Sequence, residues 1–111
     1  MENEDRRTYQ RKDFEDNVLL QFISPDRDQY ERATIRDISY SGIRVSRTGG
    51  AEVFPSKGKL EINENQHVLA YLKNHPITLF GTVVRIDEDG DQLAVVIRRS
   101  TDEELWEKLS K

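Results

Sequence analysis

"ITLFGTVVRIDEDGDQLAVVIRR", residues 77–99, reads as two β-strands with a tight turn between them. Ile77 to Ile86 is dense in β-branched and aromatic side chains, which suit a pleated surface. "DEDGD", residues 87–91, gathers aspartates around Gly90 and predicts a hairpin turn. It lacks the spaced ligands and distal glutamate of a calcium-binding EF-hand loop. "QLAVVIRR" then returns as the second strand. Gly81, inside the first, marks a bulge or sharp bend, because a strand interior otherwise gains from a side chain there.

The same texture extends in both directions from this hairpin. "VLLQFI" at 18–23 predicts a strand, and "SPDRDQ" at 24–29 is turn material. "YERATIRDI" at 30–38 alternates, with Tyr30, Arg32, Thr34 and Arg36 on one face and Ala33, Ile35 and Asp37 on the other. "IRVS" follows the turn "SYSG", and "RTGG" at 47–50 breaks it. "KLEIN" at 59–63 and "HVLAYL" at 67–72 are two further strand candidates. The chain closes differently. In "TDEELWEKL", residues 101–109, Thr101 with Glu104 three positions on makes a capping-box pattern. Leu105 and Leu109 share a helical face beside Trp106, and Glu103 and Glu104 complement the dipole of the first turn. The expected fold is all-β: a small six-stranded barrel over residues 14–111 with a short C-terminal helix. Closure hides strand edges that a sheet of this size leaves bare. Residues 1–13 are almost wholly polar and are expected to form a flexible arginine-rich tail.

Composition narrows the chemistry. The chain has 111 residues, which suits one domain, and no cysteine, which removes disulfides and thiolate chemistry. The net charge of −4 argues against binding long nucleic acid. No apolar run is long enough to insert in a membrane, and the charged N-terminus lacks the apolar core of a signal peptide, so a cytoplasmic location is expected. His67 and His75 have no partner at a metal or triad spacing and read as ordinary surface histidines. No enzymatic activity and no cofactor are expected.

"RRTYQR", residues 6–11, stands out against that background. Arg7 and Arg11 are four apart, on one face of a helix or of an extended chain. Extended, they lie about 13 Å apart at about 3.3 Å per residue. Guanidinium pairs bidentately with phosphate, pairs with the guanine O6 and N7 edge, and stacks on a base. Alone, the run also fits a solvated basic tail. "DISYSG", residues 37–42, carries the opposite chemistry. Asp37 and Ser39 favour turns, and Gly42 tolerates positive φ. As a carboxylate, Asp37 is also an acceptor for the guanine N1–H and N2–H₂ edge, which arginine cannot serve.

"RTYQR" fits RxxxR, and "DISYSG", roughly 25 residues downstream, fits (D/N)xSxxG. In that order, on a barrel of this length, the pair resembles the PilZ family, whose members bind the bacterial second messenger cyclic di-GMP. The resemblance covers most of residues 6–110. It implies that Arg7 and Arg11 bind phosphate and guanine, that Asp37 and Ser39 face the ligand, and that Gly42 allows close backbone approach. Arg6 adds a third guanidinium, suited to an intercalated pair of ligand molecules. Arg85 is a second-rank candidate on a strand where many members place an aromatic or arginine, with Val83 at the aromatic's position. Ala94 replaces a glycine common in the last strand, a change expected to bear on barrel packing. The expected function is a non-catalytic receptor that regulates an unidentified effector protein. Two alternatives stand beside it: a PilZ-fold adaptor that needs no ligand, and an OB-like single-stranded nucleic-acid binder, for which aromatics at 8% are sparse.

Overall fold

A computed structural model of the chain describes residues 11–47, 53–54 and 62–111. Its elements, in chain order, are β1 (Lys12–Phe22), β2 (Gln29–Ser39), β3 (Gly42–Arg47), β4 (Val53–Phe54), β5 (His67–Leu72), β6 (Thr78–Ile86), β7 (Gln92–Ser100) and α1 (Glu103–Ser110). Every strand pairing is antiparallel. The sheet order β1-β5-β6-β7-β3-β2 closes through β1 and β2, giving the expected six-stranded barrel. The two-residue β4 adds to β2 opposite Tyr30 and Glu31.

The barrel closes around a core set by alternation. Val18, Leu20 and Phe22 of β1 turn inward with Ala33 and Ile35 of β2, Val45 of β3, Leu79 and Val83 of β6, and Leu93 and Val95 of β7. Burial on this scale stabilises each large side chain by about 1.5–3 kcal/mol. β1 starts at Lys12, well before the first strand predicted at Val18, because polar residues from Lys12 to Asn17 pair with β2. "KLEIN" gives no strand among its described residues: Ile62 packs against the core from irregular backbone.

Gly81 marks a bulge, as expected. Phe80 pairs with Arg99 but Gly81 with Ile97, so Arg98 is the extra residue on β7. A Cβ on Gly81 would lie 2.4 Å from the Val96 carbonyl oxygen. The helix cap lies one residue beyond the one predicted. Asp102 caps α1, its side chain accepting from the Leu105 backbone N–H at 3.0 Å, while Thr101 Oγ1 instead accepts from the Thr78 backbone N–H at 2.9 Å. Trp106, the one buried aromatic of α1, covers an end of the barrel and donates from its indole to the Tyr40 carbonyl at 2.9 Å. At the far end of β3, Arg47 forms a buried bidentate pair with Glu31 (2.6 and 2.8 Å) and donates to the Gly90 carbonyl of the β6–β7 turn.

Candidate functional site

β1 and β2 run side by side from the turn at residues 23–28, and their far ends bring Arg11 to Asp37. Arg11 Nη1 donates to Asp37 Oδ1 at 2.7 Å. The other Asp37 oxygen has Arg44 Nη1 at 3.8 Å. Asp37 therefore lies between two guanidiniums, and its side chain is 17% exposed, open enough to be reached.

The orientation of Asp37 departs from the alternation. Ile35 pairs with Val45 and Asp37 with Arg44, so Arg36 is an extra residue and the strand bulges. The bulge turns Asp37 out of the face it would share with Ile35 and brings Ile38 inward, where it is fully buried. On β1 the register also shifts, between Asp13 and Asp16.

Ser39 ends β2. It is 4% exposed and its hydroxyl lies 3.4 Å from that of Ser41 across the turn. Gly42 opens β3, and a Cβ there would meet the Val95 carbonyl oxygen at 2.8 Å. Its role is close approach to β7; positive φ is not what this position needs, since among the described residues only Asn65 and Gly90 have it. The turn is anchored from outside the motif, by Ile97 N–H donating to the Ser41 carbonyl at 2.9 Å and by the Trp106–Tyr40 bond. Lys111 Nζ lies 5.6 Å from the centre of the Tyr40 ring, and Lys12 Nζ donates to the Lys111 carbonyl at 2.9 Å. α1 thus ends against the site. Lys111 also donates to Glu107, a bond that holds the Glu107 carboxyl below its ordinary range.

Arg85 is exposed on β6, opposite Ala94 of β7. Val83 is fully buried and points away from this surface. Ala94 pairs with Arg44 on its other side and is partly exposed on the outer wall, so its small size bears on the surface between two arginines and not on the core. Arg6, Arg7 and the rest of the predicted flexible tail up to residue 10 lie outside the described residues.

The ends of both motifs thus meet at one end of a closed barrel. The family model for the PilZ domain matches residues 5–111. The chain belongs to the PilZ family. PilZ domains are generally receptors for cyclic di-GMP and are known as non-catalytic receptor modules. A search of curated proteins returned no match. Among the described residues of this PilZ domain, no helix is long and apolar enough to cross a membrane.

Two features escaped the sequence reading. Arg44 sits beside Asp37, and only the strand register reveals it. The second is Asp16, whose side chain is fully buried on the other flank of β1. It accepts from Asn74 Nδ2 at 2.6 Å and lies 2.9 Å from His75 Nδ1, tying the β5–β6 turn to the β1 bulge. His75 is therefore a structural partner, with Phe14 packed on its ring at 5.3 Å. The Asn74-His75 pair carries no spacing signal toward a residue nearly sixty positions away.

Proposed function

We propose that this PilZ domain is a non-catalytic receptor that binds cyclic di-GMP through RxxxR and DxSxxG and passes the change in its surface to an effector protein. The Arg11–Asp37 pair carries the reading. It joins the donor of one motif to the acceptor of the other, beside Ser39 and Gly42, on an outward-facing bulge. A ligand with phosphates for the arginines and a guanine edge for the carboxylate replaces that pair with stronger charge-assisted bonds on both sides. Arg7 supplies the second guanidinium of the motif. Arg6 supplies a third, for a second ligand molecule stacked on the first, giving two ligands per chain.

Asp37→Ala tests the assignment. Calorimetry with cyclic di-GMP and cyclic di-AMP should show wild type preferring guanine, and the variant binding about tenfold or more weaker with that preference relaxed, because the base-edge donors lose their acceptor. An unchanged preference would confine Asp37 to shaping the turn. Stoichiometry read from the same titrations, on wild type and Arg6→Leu, checks the stacked pair: saturation of wild type at one ligand per chain removes it.

A further inference from the structure

Besides the bulge at Gly81, the strand register slips at Arg36 on β2, at Val84 on β6 and between Asp13 and Asp16 on β1. The slip on β1 decides where Arg11 points. Asp16 pairs with Ile35 and Asp13 with Asp37, so β1 advances three residues while β2 advances two, and β1 carries one extra residue. An unbroken ladder from Asp16 would set Phe14 opposite Asp37. Arg11, an odd number of positions from Phe14, would then project from the other face of the sheet. With the extra residue, Asp13 opposes Asp37, and Arg11, two positions before Asp13, shares its face. That places Arg11 diagonal to Asp37, within reach of a long side chain, and there the 2.7 Å bond forms.

A polar stretch such as Lys12–Asn17 specifies its register weakly, and β5 gives β1 no ladder partner before Val18. The β5–β6 turn takes that place with side chains. The fully buried Asp16 carboxylate accepts from the Asn74 backbone N–H at 3.3 Å and from Asn74 Nδ2 at 2.6 Å, and lies 2.9 Å from His75 Nδ1. A buried carboxylate is costly unless it is bonded in this way, so Asp16 is held to the turn. Lys73 N–H donates to the Asn17 carbonyl at 2.9 Å, fixing the next residue of β1 to the same turn. Phe14, inside the slipped stretch, packs its ring on His75 at 5.3 Å. The turn therefore grips Phe14, Asp16 and Asn17 from the flank opposite β2, where the extra residue is absorbed.

We infer that Asp16, Asn74 and His75 are positioning residues for the ligand: by pinning the β1 bulge they keep Arg11 on the face of Asp37. This rests on the receptor reading above and extends the site to a turn outside both motifs.

The test is a double-mutant cycle, read by calorimetry with cyclic di-GMP on the full chain. Asp16→Asn, which puts a donor against Asn74 and His75, and His75→Ala should each weaken binding about fivefold. His75→Asn keeps a donor near the place of Nδ1 and should regain most of the loss. In the Arg11→Ala background the same substitutions should change the remaining affinity by less than about twofold, because no guanidinium is left to position. Equal losses in both backgrounds would show a general loosening of the fold and overturn the proposal. Unchanged affinity in both Asp16→Asn and His75→Ala would overturn it too, and with weakened binding in Arg11→Ala the receptor reading would still stand. Cross-strand proton NOEs check the register without ligand: Asp13 should lie opposite Asp37 in wild type, and His75→Ala should weaken that contact or bring Phe14 to it. A register unmoved in both variants would equally overturn the anchor. Absence of cyclic di-GMP binding by wild type would bring down the receptor reading and the positioning role with it.

Discussion

Arg11 and Asp37 satisfy each other before any ligand arrives, and this sets how much a ligand must offer. Ion pairs this open to solvent contribute about 0–1 kcal/mol, while hydrogen bonds to charged groups contribute about 1.5–3 kcal/mol. A phosphate that takes over Arg11, with a guanine edge that takes over Asp37, therefore gains from the exchange. Arg11→Ala is expected to cost at least about 2 kcal/mol of cyclic di-GMP affinity. Arg11→Lys should recover only a small part, because an ammonium neither pairs bidentately nor stacks as well. Near-wild-type affinity of the lysine protein in calorimetry would count heavily against this site.

Within the strands, alternation was readable, and of its interruptions only the one at Gly81 was. "YERATIRDI", "HVLAYL" and the 77–99 hairpin carry their faces in their composition, and β2, β5, β6 and β7 follow them closely. Gly81 announced its bulge, since a missing side chain is visible in a sequence. Arg36 and Val84 are ordinary strand residues, and nothing in their identity says that the pleat slips there. Period-two reasoning consequently placed Asp37 with Ile35, and the site's geometry depended on the one feature that such reasoning averages over. The two glycines against β7 give an ordered test. Overpacking a strand contact costs about 1–3 kcal/mol. Gly81→Ala, at 2.4 Å from a carbonyl oxygen, should lose more stability in urea melts than Gly42→Ala at 2.8 Å. The reverse order would mean that β7 yields more easily near Gly81 than the barrel geometry implies. The Glu31–Arg47 pair provides a second test. Arg47→Met strands a carboxylate that is 1% exposed and should cost about 3–5 kcal/mol, whereas Glu31→Leu combined with Arg47→Met should regain most of it. A double variant as unstable as the single one would show that the Arg47 bond to the Gly90 carbonyl, and not the ion pair, holds this end together.

Taken whole, the barrel presents its candidate site at the junction of its closing seam and its helix, so a ligand bound there would tie β1, β2 and α1 together. A ligand that binds only the folded chain stabilises it by about 2.7 kcal/mol at a hundredfold excess over Kd. For a domain of about this size each kcal/mol raises Tm by roughly 4–8 °C. Thermal melts with cyclic di-GMP at that excess should therefore rise by about 10 °C or more, and cyclic di-AMP should do less. Equal shifts with both nucleotides would remove guanine recognition from the account.

The first residues of β1 have a further consequence. From Lys12 to Glu15 the ladder lies on the β2 side alone; Asp16 is held by Asn74 and His75, and pairing with β5 begins at Val18. That short stretch should open from β2 ahead of the rest of the barrel, since local opening follows the regions with fewest ladder partners. Its backbone amides should exchange with solvent deuterium ahead of those of Val18–Phe22, and slow once Arg11 is held. In the proposed receptor, the residence time of a ligand held by Arg11 should follow how fast this half-laddered strand lifts, and not the lifetime of the folded state.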